Sequence, residues 1–117
     1  MSDAATAGRP VRLDDEADLD AFVAEHDRAL VEFYTEGCSM CAAMEPVLGN
    51  VSRASDVAVG LVNPRDDPPL VERFAVQSVP LLVYFEDSEP VRRLADGFVG
   101  AEEVLAFVSG DDSDASA

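Results

Sequence analysis

The segment Ala29-Leu30-Val31-Glu32-Phe33-Tyr34 constrains the fold of this chain more than any other. It is a nearly continuous apolar run of β-prone residues, without the alternation of a strand that faces water on one side. Such a run suits a central strand buried on both faces, and helices are what cover the two faces of such a sheet. Thr35-Glu36-Gly37 breaks the run. From Cys38 to about Arg53 the spacing turns helical, with Met40, Cys41, Met44, Val47, Leu48 and Val51 recurring at helical period. Pro46 falls inside that helix and is expected to kink it.

The remaining elements follow from the same rules. Val11-Arg12-Leu13 reads as a short first strand. Asp14 or Asp15 caps a helix over about Glu16 to His26, with Leu19, Phe22 and Val23 at helical spacing. Val57 to Val62 reads as a third buried strand, and Asn63 to Pro68 as loop. Pro69 to Phe74 fits a short helix with proline at its start and Leu70, Val71 and Phe74 on one face. Leu81 to Phe85 is a fourth strand, Asp87-Ser88-Glu89-Pro90 a turn, and Val91 to Ala95 a fifth strand. Ala101 to Ser109 is a final helix burying Val104, Leu105 and Val108. The order β-α-β-α-β-α-β-β-α defines the α/β class, with a central mixed sheet flanked by helices on both faces. The closing hairpin supplies its antiparallel edge. Residues 1–10 are expected to be a flexible segment, 11–110 one domain, and 111–117 a disordered acidic tail.

Charge excludes several functions. The chain carries 24 acidic and 8 basic residues, for a net charge of −16, and every basic residue is arginine. The acids are spread along the chain rather than gathered in the tail. Such a surface repels phosphate backbones and anionic lipids, so neither nucleic acid nor membrane is an expected partner. The composition resembles that of proteins from salt-loving organisms, where salt screens self-repulsion. The start lacks a basic n-region and an apolar h-region, which favours the cytoplasm. A cytoplasmic disulfide is more often catalytic or redox-sensing than structural.

Cys38 and Cys41 are the chain's 2 cysteines, and they form Cys-x-x-Cys where an apolar strand gives way to a helix. Thiol–disulfide exchange needs a thiolate. The first turn of a helix presents unpaired N–H groups and the positive end of its dipole, which stabilise that anion. Cys38 is therefore the expected attacking thiolate. Cys41 lies one turn later on the same face and deeper in the helix, which suits a resolving thiol. Two other readings stay open. One is half of a metal site, although zinc wants four Cys or His ligands and His26 is distant. The other is a pair of inert core cysteines. No metal is expected.

These residues resemble the thioredoxin family from about Val11 to Gly110. Val31-Glu32-Phe33-Tyr34 resembles the strand before that family's active site, and Gly37-Cys38-Ser39-Met40-Cys41 stands where its Trp-Cys-Gly-Pro-Cys stands. Pro46 matches its helix-kinking proline, and Ser78-Val79-Pro80 resembles its loop with a cis-proline. Gly97, or alternatively Gly100, resembles the glycine near its substrate groove. The resemblance implies a thioredoxin fold and a dithiol–disulfide couple acting on protein disulfides. It places Glu32 where the family carries a buried aspartate that assists proton transfer at the resolving thiol. Burial would raise the pKa of such a carboxyl; the plainer alternative is a glutamate that snorkels to the surface. Val79, Pro80, Gly97 and Met40 become the expected substrate-binding residues, with the backbone of Val79 open to an extended substrate strand.

The departures from the family matter too. Gly37 removes the tryptophan, Ser39-Met40 replaces the Gly-Pro that tunes the potential, and Gly60-Leu61 stands where a lysine usually neighbours the buried acid. Glu36 places like charge near Cys38 and opposes thiolate formation. The expected protein is a monomeric reductant without a cofactor, recharged by a thioredoxin-reductase-like donor. The alternatives are a sensor or binding module with little turnover, and a disulfide oxidase or isomerase.

Overall fold

The computed structural model describes residues 9–110. In chain order the elements are β1 (Val11–Leu13), α1 (Glu16–Glu25), β2 (Arg28–Phe33), α2 (Ser39–Ala54) and β3 (Ala58–Val62). A 3-10 turn at Pro64–Asp66 follows, then α3 (Pro69–Arg73), β4 (Leu81–Glu86), β5 (Glu89–Leu94) and α4 (Ala101–Ser109). Most of the expected flexible start, residues 1–8, and the expected acidic tail, residues 111–117, lie outside the described residues.

The strands form one sheet in the order β1-β3-β2-β4-β5. β1, β3 and β2 run parallel, while β4 and β5 are antiparallel to their neighbours. β2 is the middle strand, and every residue in it except Arg28 is buried. Its alternate side chains enter two separate cores. Ala29, Val31 and Phe33 join Leu19, Phe22 and Val23 of α1 with Leu70 of α3 on one face. Leu30 joins Met44, Leu48 and Val51 of α2 with Val104, Phe107 and Val108 of α4 on the other. The doubly buried strand expected from the apolar run is thus covered by helices on both sides.

Local chemistry sets the element ends. Asp15 caps α1 by accepting from the Asp18 N–H at 2.9 Å, and Glu16 and Asp18 complement the positive end of the dipole. Asn63 caps the 3-10 turn by accepting from the Arg65 N–H at 2.9 Å, so part of the expected loop is ordered by an Asx cap. The β4–β5 turn is tighter than the expected four residues. Asp87 and Ser88 alone form it, with φ of 53° and 73°, the left-handed pair that matches strand twist. Pro90 therefore lies inside β5, an edge strand where its missing N–H does no harm. A register irregularity between Tyr84 and Phe85 accommodates it. On α3 the expected face splits: Leu70 and Phe74 are buried, while Val71 is exposed, because it lies about a hundred degrees round the helix from Leu70. In α4, Val104, Phe107 and Val108 carry the burial, with Leu105 only partly covered.

Arginines close α4 onto the sheet. Arg92 donates to the Phe107 and Val108 carbonyls at 2.9 and 3.1 Å, and Arg28 donates to Val108 O at 3.1 Å. They satisfy carbonyls that a helix end leaves unpaired. Among the described residues no helix is long and apolar enough to cross a membrane.

Gly60 is required by packing in β3. A Cβ there would lie 2.8 Å from Leu13 Cδ1 and 3.0 Å from the Phe22 ring. Gly60→Val is expected to destabilise the protein by about 1–3 kcal/mol through overpacking, measured by urea denaturation. An unchanged midpoint would show that Leu13 and Phe22 yield freely.

Candidate active site

β2 ends at Phe33 and hands the chain to Gly37, whose φ of +83° is a left-handed conformation that favours glycine. That turn delivers Cys38 to the N-cap of α2. The helical spacing puts the start of the helix at Cys38; in the structure the Cys38 backbone is still extended, and the helix proper begins at Ser39. Cys38 Sγ accepts a hydrogen bond from the Cys41 N–H at 3.1 Å. A free helix-end donor thus points at the sulfur, which favours its thiolate when the pair is reduced. Cys38 and Cys41 are joined by a disulfide, with Cα atoms 5.2 Å apart. Cys38 is half-buried, whereas Cys41 is only 3% exposed. One sulfur is open to solvent and the other is held behind it.

The other expected residues gather at the same end of the sheet. Phe33 at the end of β2 pairs with Leu81, which places Pro80 beside the exit to Cys38. The Val79–Pro80 peptide bond is cis; Pro80 is buried and Val79 partly so. Met40 is 52% exposed, which rules out the core-packing role its helical spacing allowed. Its Sδ lies 3.2 Å from where a Cβ on Gly97 would sit. Gly97, with φ of +80°, therefore lets Met40 lie against the loop before α4. Gly100, the alternative glycine, has open space around it and instead precedes α4 as its N-cap. Phe98, which sequence reasoning missed, is exposed next to Gly97.

Glu32 does not snorkel. It is 1% exposed, and its Oε2 has no hydrogen-bond partner. Its neighbours in register are Leu61 of β3 and Leu82 of β4. Desolvation pushes its pKa up to about 8; the Glu45 carboxylate pushes the same way and the Arg12 guanidinium opposes both. The carboxyl is therefore mostly protonated at neutral pH.

Beside the disulfide lies an open cleft of about 460 Å³, lined among others by Arg12, Tyr34, Glu36, Cys38, Cys41 and Glu45. Arg12 donates to Tyr34 Oη at 2.7 Å and to Glu45 Oε2 at 3.4 Å. Its guanidinium sits 5.3 Å from the centre of the Tyr34 ring. Sequence reasoning missed Arg12, Tyr34 and Glu45. The alternation of β2 puts Tyr34 on the Glu32 face, but placing Arg12 there needs the parallel register of β1 with β3.

A five-stranded mixed sheet whose central strand presents a dithiol pair at a helix start defines a thiol–disulfide exchange architecture. Residues 10–109 match the family model described as Thioredoxin. The chain belongs to the thioredoxin family. It is 33% identical over 81 residues to a thioredoxin of Mycobacterium tuberculosis, covering 68% of this chain and 66% of that protein. It is 36% identical over 66 residues to a thioredoxin of Chlamydia caviae, covering 56% of this chain and 65% of the relative. The matched stretch thus spans just under two thirds of these relatives' length. A bifunctional thioredoxin reductase/thioredoxin of Mycobacterium leprae is 26% identical over 110 residues, covering 92% of this chain and 23% of that protein. Among solved structures, a point-mutant thioredoxin from Halobacterium salinarum superposes with a TM-score of 0.84 at 25% identity, covering 90% of this chain and 92% of that one.

Burial of Glu32 has a consequence for stability. A carboxyl whose native pKa is raised stays protonated while the unfolded chain ionises. Below the ordinary value of 4.5 both states hold the proton; as pH rises from there to about 8 the native state loses ground, and above that the loss is constant. Glu32→Gln is expected to match the parent near pH 4 and exceed its stability by about 2–4 kcal/mol at pH 8. Urea denaturation of the oxidised proteins at pH 4, 6 and 8 checks this. Parallel stability profiles would place the carboxyl in contact with water.

Proposed function

We infer that the protein is a thiol–disulfide oxidoreductase that reduces protein disulfides. The observation that carries this reading is the asymmetric pair at the start of α2: Cys38 accessible and hydrogen-bonded at its sulfur, Cys41 buried behind it. In the reduced protein the Cys38 thiolate attacks one sulfur of a substrate disulfide. The substrate S–S bond breaks, a mixed disulfide forms, and the first substrate thiolate leaves with a proton from water. In the minor fraction of molecules in which Glu32 is ionised, its carboxylate takes the Cys41 proton, and the Cys41 thiolate attacks Cys38 Sγ. The mixed disulfide breaks, the second substrate thiolate leaves and is protonated, and the enzyme is left with the Cys38–Cys41 disulfide seen in the structure. Two electrons have passed from dithiol to substrate. A carboxyl with a pKa of about 8 is well matched to an ordinary thiol near 8.5, so the proton moves between them at little cost.

Val79, Pro80, Gly97 and Met40 form the substrate-binding rim in this reading. Pro80 lies beside the exit to Cys38, where the backbone of Val79 can pair with an extended substrate segment. Exposed Met40 against Gly97 offers a soft apolar contact. The electron donor is a thioredoxin-reductase-like protein, a reading supported by the reductase/thioredoxin fusion among the relatives. The protein works as a cytoplasmic monomer without a cofactor of its own. Its net charge of −16 suits salty surroundings, where screening restores access to acidic partners.

The test is insulin disulfide reduction with dithiothreitol present. The parent is expected to accelerate it, and Cys38→Ser to fall to the uncatalysed rate. Cys41→Ser should accumulate a mixed disulfide through Cys38, visible by mass spectrometry. Activity that survives Cys38→Ser would sink the assignment of the nucleophile, and a parent without turnover would favour a binding module.

A further inference from the structure

Strand register places Arg12, Leu61 and Glu32 on one rung of the sheet. Arg12 pairs with Leu61 across β1 and β3, and Leu61 pairs with Glu32 across β3 and β2. Side chains on one rung point to the same face, here the face covered by α2. With strands ~4.8 Å apart, the backbones of Arg12 and Glu32 are about 10 Å apart. The residue between them is a leucine, so β3 brings no charge to this rung.

The groups around Glu32 can be enumerated by element. β3 brings Leu61 and β4 brings Leu82. α2 brings Cys41 and Glu45 to the cleft, β1 brings Arg12, and the segment just after β2 brings Tyr34 and Glu36. Arg12 and Glu45 are the charges that act on the carboxyl, with opposite sign. They are also bound to each other: Arg12 is held at 3.4 Å by Glu45 and at 2.7 Å by Tyr34 Oη. Four of the other arginines are engaged elsewhere, Arg28 with Asp56, Arg73 with Glu16 and Asp20, Arg92 with the end of α4, and Arg93 with the end of α3.

We propose that Arg12 and Glu45 are an opposed pair of positioning charges that set when Glu32 takes and releases the proton of Cys41. The proposal rests on the reading of Glu32 as the proton carrier. Arg12 favours the carboxylate, ready to accept; Glu45 favours the acid, ready to give. Tied together they leave desolvation in control, and separating them exposes each effect. The side chains of Arg12 and Glu45 are 58% and 45% exposed, so salt weakens both effects.

The experiment is a 13C NMR titration of the Glu32 side-chain carboxyl, identified by its loss in Glu32→Gln, between pH 5 and 10. It is run on the oxidised full chain, beside the pH profile of insulin reduction. Arg12→Met is expected to raise the titration midpoint and Glu45→Gln to lower it, each by roughly 0.3–1 unit at low salt. Arg12→Lys should stay close to the parent, and the double variant Arg12→Met with Glu45→Gln should return toward it. The midpoints of the rate profiles should move in the same directions. Single variants that shift together, or not at all, overturn the proposal, since a merely structural role has no reason to give opposite signs. Carboxyl midpoints that move while the rate profiles stay fixed also overturn it, yet leave the oxidoreductase reading standing. That reading fails separately, if the parent shows no turnover.

Discussion

The active end of the molecule hangs from β2. Parallel β3 holds one edge and antiparallel β4 the other, while its alternate side chains anchor two different cores. A strand tied on all four sides cannot shift without breaking the sheet. Its last residue therefore fixes where Gly37 turns the chain and where α2 begins. Cys38 inherits that placement, and with it the hydrogen bond from the Cys41 N–H. The same rigidity sets Pro80 beside the end of β2, because Leu81 is in register with Phe33.

β2 also carries the structure's main internal conflict. Glu32 lies among Leu61 and Leu82 with a buried oxygen that finds no partner. Such a group opposes folding wherever the unfolded chain would ionise it. What the fold gains is a carboxyl that holds a proton near the pH at which thiols exchange theirs. Stability is given up at this one position, a cost that the proposed proton transfer would explain, and the surrounding apolar rungs make good the loss. The arginines show the reverse pattern. In a chain of net charge −16, Arg28 and Arg92 bind helix-end carbonyls and Arg93 binds the Phe74 and Ala75 carbonyls at 2.8 and 3.0 Å. Scarce positive charge is used to close the fold, with Arg12 placed at the cleft.

Strongly periodic segments make most of this fold legible in the sequence itself. The unbroken apolar run of β2, the helical stripe of α2 and the capping acids of α1 each obey one local rule. The cysteine pair is legible for the same reason, since its chemistry depends on a strand-to-helix junction that the sequence displays. Other features depend on pairings between distant segments. The hairpin turn shrinks to Asp87 and Ser88 because the β4–β5 register, with its irregularity, can absorb Pro90. Val71 is exposed because a helix as short as α3 has one narrow buried stripe. Arg12 and Glu45 escape a sequence reading because nothing local says that β1 lies beside β3 with Arg12 on the rung of Glu32. Met40 suits either core or rim by its spacing, and its exposure beside Gly97 decides it.

The central claim is that the Cys38–Cys41 pair is a reversible dithiol–disulfide couple poised to donate electrons. The most direct measurement is its reduction potential, from equilibration against glutathione or dithiothreitol at molar salt. An electron donor of this kind has an intramolecular couple with a value near or below about −250 mV, on the thioredoxin side of the scale. A value of about −120 to −180 mV would make the protein an oxidant or isomerase. A pair that forms no disulfide at any poise would rule out an oxidoreductase and leave a binding module in its place.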